Sequence, residues 1–157
     1  MCSSDLQALV RTAVGLRPDR LCLHETAGPE AAELLAIAGR GLSGVLASTR
    51  ASTAMGGIGR LAALAGLEGG GLDLVSRTEL VARSIEVIVC VGRFPDGVSR
   101  VVELAETRVG QDGAAAAAEI IGIDARTGTW RHTGVVPNFF ATLQRRGVVV
   151  DAAMLGS

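Results

Sequence analysis

His24 and Glu25 are the two adjacent side chains in this sequence that are best suited to chemistry. An imidazole titrates near neutral pH, and a carboxylate can act on a metal ion or on a water molecule. Both residues follow the apolar run 21–23, which Pro18 and charged residues separate from a preceding helical pattern. Such a short, bounded run predicts a buried strand. The sequence therefore places Glu25 just beyond the carboxyl end of a strand.

This position is informative because ligands bind beyond the carboxyl ends of the strands in open α/β sheets. An acidic residue there, before a glycine and a new helix, stands where nucleotide-hydrolysing sheets keep the carboxylate that acts on magnesium or water. Glu25 is therefore either a nucleotide-site carboxylate or a surface glutamate that ends a core strand. For His24 the favoured interpretation is a hydrogen-bonded residue at a strand end, and a catalytic role is the alternative.

The composition excludes several classes of protein. A chain of 157 residues suits one domain, and 48% hydrophobic with 20% charged residues is typical of a folded core. The net charge of −1 gives no electrostatic reason to expect nucleic acid as a partner. All 15 basic residues are arginine. Because the phosphate-binding loop GxxxxGK(S/T) needs its lysine to reach the β- and γ-phosphates, this sequence contains no Walker A site.

The three cysteines, Cys2, Cys22 and Cys90, are odd in number and lack CxxC spacing. Cys22 and Cys90 lie in apolar runs, which predicts small core residues of a reducing compartment rather than a metal site. No apolar segment approaches the roughly 20 residues needed to span a bilayer, and no signal peptide opens the chain. We therefore expect a cytoplasmic protein.

Hydrophobic periodicity divides the chain into an α/β part and a β-rich part. In the first part, glycine and proline separate helical patterns from short apolar runs, although Gly56, Gly57 and Gly59 weaken the third helix. The predicted helices cover residues 5–15, 28–38, 51–67 and 72–84, and the predicted buried strands cover residues 21–24 and 45–48.

The second part begins with a β-branched run, a Pro-Asp-Gly turn and an alternating run, which together predict a hairpin. Residues 114–118 are rich in alanine and ambiguous, and residues 130–132 can pair back onto the strand before them. The aromatic side chains of Trp130, Phe139 and Phe140 are expected to form a satellite cluster that anchors the tail. The predicted strands cover 85–93, 98–109 and 119–124, turns cover 94–97 and 126–129, and a helix covers 138–146.

The stretch Leu16–Glu25, Leu-Arg-Pro-Asp-Arg followed by hydrophobic residues and a glutamate, resembles the Walker B region of type II/IV secretion system ATPases. The likeness is greatest to the Tad/CpaF-type pilus-assembly ATPases. It continues in order to nearly the last residue, while the Walker A loop and everything before it have no counterpart here. The further matches are 29–35, Gly41, Gly44, Leu46, Ala47, 60–61, 65–67, 93–97, 100–103, Thr133, Gly134, Pro137, Phe139, Leu143 and Gly147.

The resemblance implies an α/β fold: a partial RecA-like P-loop NTPase sheet with a β-rich C-terminal extension. Residues 1–92 would be the C-terminal part of the ATPase core, and residues 93–157 the hairpin and tail extension. It also implies ATP and Mg²⁺ as cofactors, with Glu25 as the catalytic carboxylate and Glu25, Gly28 and Arg50 as nucleotide-binding residues.

For partners, the resemblance implies a hexameric cytoplasmic motor, peripheral to the inner membrane, that drives pilus assembly or secretion. A homo-oligomer, or an ATPase that carries Walker A, would be the first partner. An inner-membrane platform protein would be the second. Nucleic acid is not implied.

The departures from the family fall on its chemistry. His24 stands where the family has glycine, Ala27 where it has arginine, and Leu42 and Arg50 where it has histidines. Arg50 could still face a phosphate, because a guanidinium remains charged and offers a fork of donors. Phosphoryl transfer depends mainly on electrostatic stabilisation. We therefore expect no ATP hydrolysis by this chain alone.

Two hypotheses follow for the function. The chain is either the C-terminal part of a secretion ATPase that a Walker A-bearing piece must complete, or a degenerate pseudo-ATPase that acts as an interaction module. The substitutions at Ala27, Leu42 and Arg50 favour the module. In either case a parallel sheet without its P-loop strand would leave an open edge, which predicts oligomerisation or poor solubility.

Overall fold

The computed structural model describes residues 3–42, 44–67, 71–124 and 128–151, with the backbone alone for residues 3–5. Helices alternate with two short strands first, and a larger sheet and a terminal helix follow. This order confirms the predicted α/β fold class. The elements are α1 (Ser3–Gly15), β1 (Leu21–Leu23), α2 (Glu30–Gly39), β2 (Val45–Ala47), α3 (Ala54–Ala65), α4 (Leu74–Ser84), β3 (Val87–Arg93), β4 (Ser99–Val109), β5 (Ala115–Ile123), β6 (Trp130–His132) and α5 (Phe139–Arg145).

β1 and β2 form a two-stranded parallel sheet, in which Leu21 lies beside Val45 and Leu23 beside Ala47. The approach of the two strands depends on Gly44, whose φ of +93° lies in the left-handed region. A Cβ atom at Gly44 would lie 2.9 Å from the Asp19 carbonyl oxygen. Only glycine therefore fits where β2 begins.

Helices cover one face of this parallel sheet. Leu21 and Leu23 are buried there with Val10 of α1 and with Leu34 and Ile37 of α2. On the other face Cys22 is exposed, and Leu46 is 60% exposed. The predictions that Cys22 belongs to the core and that β2 is a buried strand are therefore wrong. A two-stranded sheet with helices on one side leaves alternate residues facing solvent.

A second core joins α2, α3 and α4, in which α3 contributes the fully buried side chain of Ile58. The apolar residues of α4 are only partly buried: Val81 packs in the core, but Leu74 is 53% exposed and Val75 is 71% exposed. Only Val81 and Ala82, in the C-terminal half of α4, are buried. The buried residues of this cluster are Ala31, Leu35, Ile58, Leu61, Ala62 and Val81.

The second sheet is antiparallel, in the order β3-β4-β5-β6. The predicted hairpin of β3 and β4 is confirmed, and β6 does pair back onto β5. The ambiguous alanines belong to β5, which is one strand from Ala115 to Ile123 that pairs with β4 along its length. The predicted turn at 126–129 lies mostly outside the described residues, as does Cys2.

The sheet packs against the start of α3. Ala54, Cys90 and Ala105 are buried together, and Glu103 Oε2 accepts the Ala54 N–H at 2.9 Å. A division of the chain between residues 92 and 93 falls within β3, and the two-part domain organisation remains a prediction. Among the described residues, no helix is long and apolar enough to cross a bilayer.

The C-terminal segment is attached to β4 by a buried carboxylate. Glu106, 4% exposed, accepts the Phe139 N–H at 3.1 Å and pairs with Arg108 at 2.9 Å. The rings of Phe139 and Phe140 meet edge to face, with centroids 5.4 Å apart. Trp130 is 55% exposed and makes no ring contact with them in the described part of the chain, so the three-membered aromatic cluster is reduced to a pair.

Candidate functional site at the carboxyl ends of the parallel strands

The candidate site consists of the two loops that follow β1 and β2, residues 24–28 and 48–50. Because the strands are parallel, both loops leave the same edge of the sheet. The two charged residues predicted for the site meet there: Arg50 Nη2 lies 2.5 Å from Glu25 Oε1. Their side chains are 82% and 46% exposed, respectively. The structure thus brings Glu25 and Arg50 together in a solvated ion pair.

The backbone at Glu25 adopts an uncommon conformation that Ser48 stabilises. Glu25 has a φ of +55°, in the left-handed region, which costs a non-glycine residue about 1–2 kcal/mol. Its N–H donates to Ser48 Oγ at 2.9 Å, and the Thr26 N–H donates to the Ser48 carbonyl oxygen at 2.7 Å. Ser48 therefore holds the Glu25 backbone in this conformation. Sequence reasoning missed this role, because only the alignment of β1 with β2 reveals it.

His24 belongs to the same hydrogen-bond network. Its Nδ1 lies 3.3 Å from Ser48 Oγ. Ser48 Oγ, which also accepts the Glu25 N–H, therefore contacts both residues that follow β1. The interpretation of His24 as a hydrogen-bonded residue at a strand end is confirmed.

The backbone N–H of Gly28, the third predicted site residue, already donates a hydrogen bond within the chain. The Glu30 carboxylate is 2% exposed and accepts the N–H groups of Ala27 and Gly28, each at 2.8 Å. The positive N-terminus of a helix stabilises such a carboxylate. A phosphate could reach the Gly28 amide only if Glu30 moved, and a nucleotide role for Gly28 remains a prediction.

The N-terminus of α3, next to the second loop, is also capped from within. Thr53 Oγ1 accepts the Gly56 N–H at 3.1 Å, and Glu103 takes the Ala54 N–H. Helix N-termini are common anion sites because their N–H groups lack partners within the helix. Here the chain's own oxygens bind the Ala54 and Gly56 amides at the start of α3, and the Ala27 and Gly28 amides in the loop just before α2.

A second arginine approaches the loops through Thr49. Thr49 Oγ1 donates to the Thr26 carbonyl oxygen at 2.8 Å, and Arg60 Nε donates to Thr49 Oγ1 at 3.3 Å. Leu42, by contrast, packs against the core beside α1 and α2. Of the two positions at which the resemblance implies histidines, only Arg50 therefore lies at the candidate site.

These residues do not form a complete site for ATP and Mg²⁺. Glu25 could contribute one carboxylate to a metal ion, and Arg50 could bind a phosphate, but they neutralise each other in the ion pair. The sequence has no lysine for the phosphates, and the nearest helix amides are already bonded. Among the described residues, no group of three or more His, Cys, Asp or Glu side chains is placed to hold a metal ion.

The fold is of the α/β class, and its parallel part carries the site at the end where α/β proteins bind ligands. The fold of this chain resembles that of the VirB11 ATPase of the Brucella suis type IV secretion system, a structure solved in complex with sulphate. The TM-score is 0.58 with 23% sequence identity, over 64% of this chain and 32% of that one. The fold expected from the sequence is thereby confirmed.

In sequence the chain is similar to a putative conjugal transfer protein of Mycobacterium tuberculosis, in strains CDC 1551 / Oshkosh and H37Rv. The identity is 33% over 103 residues, which cover 66% of this chain and 29% of each relative. The chain thus spans less than a third of the length of these relatives. No protein-family model matches it.

Proposed function

We propose that this chain is the C-terminal part of a secretion ATPase and does not hydrolyse ATP by itself. The observation that carries the proposal is the position of Glu25. It follows β1 where the resemblance implies the Walker B carboxylate, yet it pairs with Arg50 at 2.5 Å instead of facing a phosphate loop. The similarity to a conjugal transfer protein and the fold likeness to a type IV secretion ATPase support a secretion-related role.

The finer assignment, to the Tad/CpaF type of pilus-assembly ATPase, rests on the resemblance of Leu16–Glu25 and the ordered matches after it. On this proposal the chain works in the cytoplasm, peripheral to the inner membrane. It acts within a hexamer or beside a Walker A-bearing ATPase, against an inner-membrane platform protein. A hydrolytic site for ATP and Mg²⁺ would be complete only where a Walker A-bearing segment supplies the phosphate loop.

A second candidate function, an interaction module without nucleotide, is favoured by a different observation. The buried Glu30 and the Glu103 carboxylate bind the amides at the starts of α2 and α3. A carboxylate held there repels a phosphate group by like charge. In this alternative the Glu25–Arg50 pair has no ligand, and the chain contributes only its surfaces to a secretion or pilus machine.

The test is isothermal titration of the chain with ATP and Mg²⁺, together with a phosphate-release assay on the same samples. Glu25→Ala is the site variant, and Glu79→Ala is its matched control because Glu79 pairs with Arg83 on the exposed face of α4. We expect no phosphate release from the wild-type chain. Release that Glu25→Ala abolishes and Glu79→Ala preserves would overturn the proposal.

The same titration separates the two candidate functions. Saturable heat that disappears in Glu25→Ala and remains in Glu79→Ala supports a surviving half-site of an ATPase. The absence of heat at millimolar nucleotide supports the interaction module. Adding the N-terminal part of the mycobacterial relative then tests completion: phosphate release only in the mixture supports the ATPase.

A further inference from the structure

Glu103 lies on β4 between two irregularities of the antiparallel sheet. Between β3 and β4 the register shifts next to Cys90, the partner of Glu103, and leaves Val102 as an extra residue. Between β4 and β5 the register shifts again, from Leu104 to Ala105. Such bulges change the direction of side chains and are common beside functional sites. The backbone on both sides of Glu103 therefore departs from the regular alternation of a strand.

The first bulge turns two neighbouring side chains towards α3. In a regular strand, neighbouring side chains point to opposite faces of the sheet. Here Val102 packs against the cluster that contains Ala54, and Glu103 Oε2 accepts the Ala54 N–H at 2.9 Å. Ala54 is the first residue of α3 and is 0% exposed, so bulk water does not compete with the carboxylate for this N–H. Glu103 therefore fixes the start of α3.

The start of α3 is close in sequence to the candidate site. Only residues 51–53 separate Ala54 from Arg50, which pairs with Glu25. Four residue steps span at most about 14 Å even when the chain is fully extended. The position of Ala54 therefore limits where Arg50 can lie.

A second contact joins the body of α3 to the same loop. Arg60 Nε donates to Thr49 Oγ1 at 3.3 Å, and Thr49 Oγ1 donates to the Thr26 carbonyl oxygen at 2.8 Å. The Thr26 N–H in turn donates to the Ser48 carbonyl oxygen at 2.7 Å. A displacement of α3 would therefore act on both loops of the candidate site, through Arg60 as well as through residues 51–53.

We propose that Glu103 is a positioning residue of the candidate site. By binding the first N–H of α3, it keeps loop 48–50 in the place where Arg50 meets Glu25. In the described part of the chain no hydrogen bond or ion pair joins Glu103 to either of these residues, so its effect passes through α3. The inference rests on the proposed function, because it gives Glu103 a part in arranging the residues that would meet a nucleotide.

Amide hydrogen exchange of the folded chain tests this role. The reporter is the N–H of Thr26, a residue that is 1% exposed and donates to the Ser48 carbonyl oxygen at the candidate site. The internal reference is the Leu21 N–H, which donates to the Gly44 carbonyl oxygen at the opposite edge of the same parallel sheet. Glu103→Ala should make exchange at Thr26 at least about tenfold faster, while exchange at Leu21 keeps its rate.

Two further variants separate this role from a general loss of stability. Glu103→Gln should keep exchange at Thr26 slow, because the side-chain amide oxygen can still accept the Ala54 N–H. Glu119→Ala should also keep it slow, because Glu119 lies on the neighbouring strand β5 and pairs with Arg131 at 3.1 Å. If Glu103→Ala alters the circular dichroism spectrum, Glu103→Asp repeats the test with a side chain that is one methylene group shorter.

Three results would overturn the proposal: equal acceleration at Thr26 and Leu21, unchanged exchange at Thr26 in Glu103→Ala, or the same acceleration in Glu119→Ala. Because the exchange measurement uses no nucleotide, it tests the position of the loops alone. The proposed function fails separately, when a mixture of the chain with a Walker A-bearing part releases no phosphate. Slow exchange at Thr26 that depends on Glu103 would still show that Glu103 positions the loops.

Discussion

Glu25 and Arg50, 25 residues apart in sequence, form an ion pair with 2.5 Å between Oε1 and Nη2. The pair exists because β1 and β2 are adjacent and parallel, so the loops after them begin side by side. The resemblance implies a different arrangement, in which a carboxylate and a histidine would face a nucleotide. The same two residues are the best candidates for a ligand site among the described residues.

Arg50→Ala should change stability very little, because both partners of this pair are exposed. Exposed ion pairs contribute about 0–1 kcal/mol, and salt screens them. We expect a shift of less than about 1 kcal/mol in the free energy of unfolding, measured with urea and reduced further at high salt. A loss of several kcal/mol would instead mean that Arg50 contributes to the packing of the two loops.

The left-handed backbone conformation of Glu25 leads to two predictions of opposite sign for the free energy of unfolding. Glu25→Gly should stabilise the fold by about 1 kcal/mol, because glycine adopts a φ of +55° without the Cβ clash. Ser48→Ala should destabilise it by about 1 kcal/mol, because the Glu25 N–H loses its acceptor. Urea unfolding of both single variants and of the double variant measures each effect. A destabilising Glu25→Gly would show that the ion pair outweighs the backbone strain.

Glu106→Ala should lower the free energy of unfolding by about 2–3 kcal/mol, because it removes the acceptor of the Phe139 N–H and the carboxylate partner of Arg108. The loss should also detach α5 from β4, which faster amide exchange in residues 139–145 would report. Glu79→Ala is the control, since the Glu79–Arg83 pair lies on an exposed helix face. Equal losses in the free energy of unfolding for the two substitutions would contradict the attachment of α5 by Glu106.

The order of helices and strands was predictable because local patterns determine it. Proline and glycine mark the ends of the elements, and the Pro-Asp-Gly turn predicts the β3–β4 hairpin. Burial was less predictable. Cys22 and Leu46 lie in apolar runs but are exposed, because burial also requires a second element to cover that face. The alanines of β5 have little local preference, and pairing with β4 decides their structure.

The candidate site was predictable only in its charged residues. Glu25 and Arg50 were found through the strand end and the resemblance. Ser48 and Glu30 were not found, because their contacts depend on the β1–β2 register and on where the Glu30 side chain turns. Neither a motif nor a period of the sequence encodes such contacts. They emerge only once the loops are in place.

Cys90 offers a test of the packing between the sheet and α3. Burial, and secondly the Glu103 carboxylate, raise the pKa of the Cys90 thiol from 9.0 to about 11. Since the thiolate is the reactive form, about one Cys90 in 1,000 is reactive at pH 8. Iodoacetamide should therefore label the exposed Cys22 at least about tenfold faster, as mass spectrometry of the folded chain can measure.

The same pKa shift makes stability depend on pH. The folded chain holds the Cys90 proton more tightly than the unfolded chain, so the stabilisation is complete below about pH 9 and is lost as the pH rises through about 11. Cys90→Ala should remove this alkaline loss, and Cys22→Ala should leave it unchanged. Urea midpoints at pH 8, 9.5 and 11 provide the comparison. An alkaline loss that is the same in both variants would assign it to other groups.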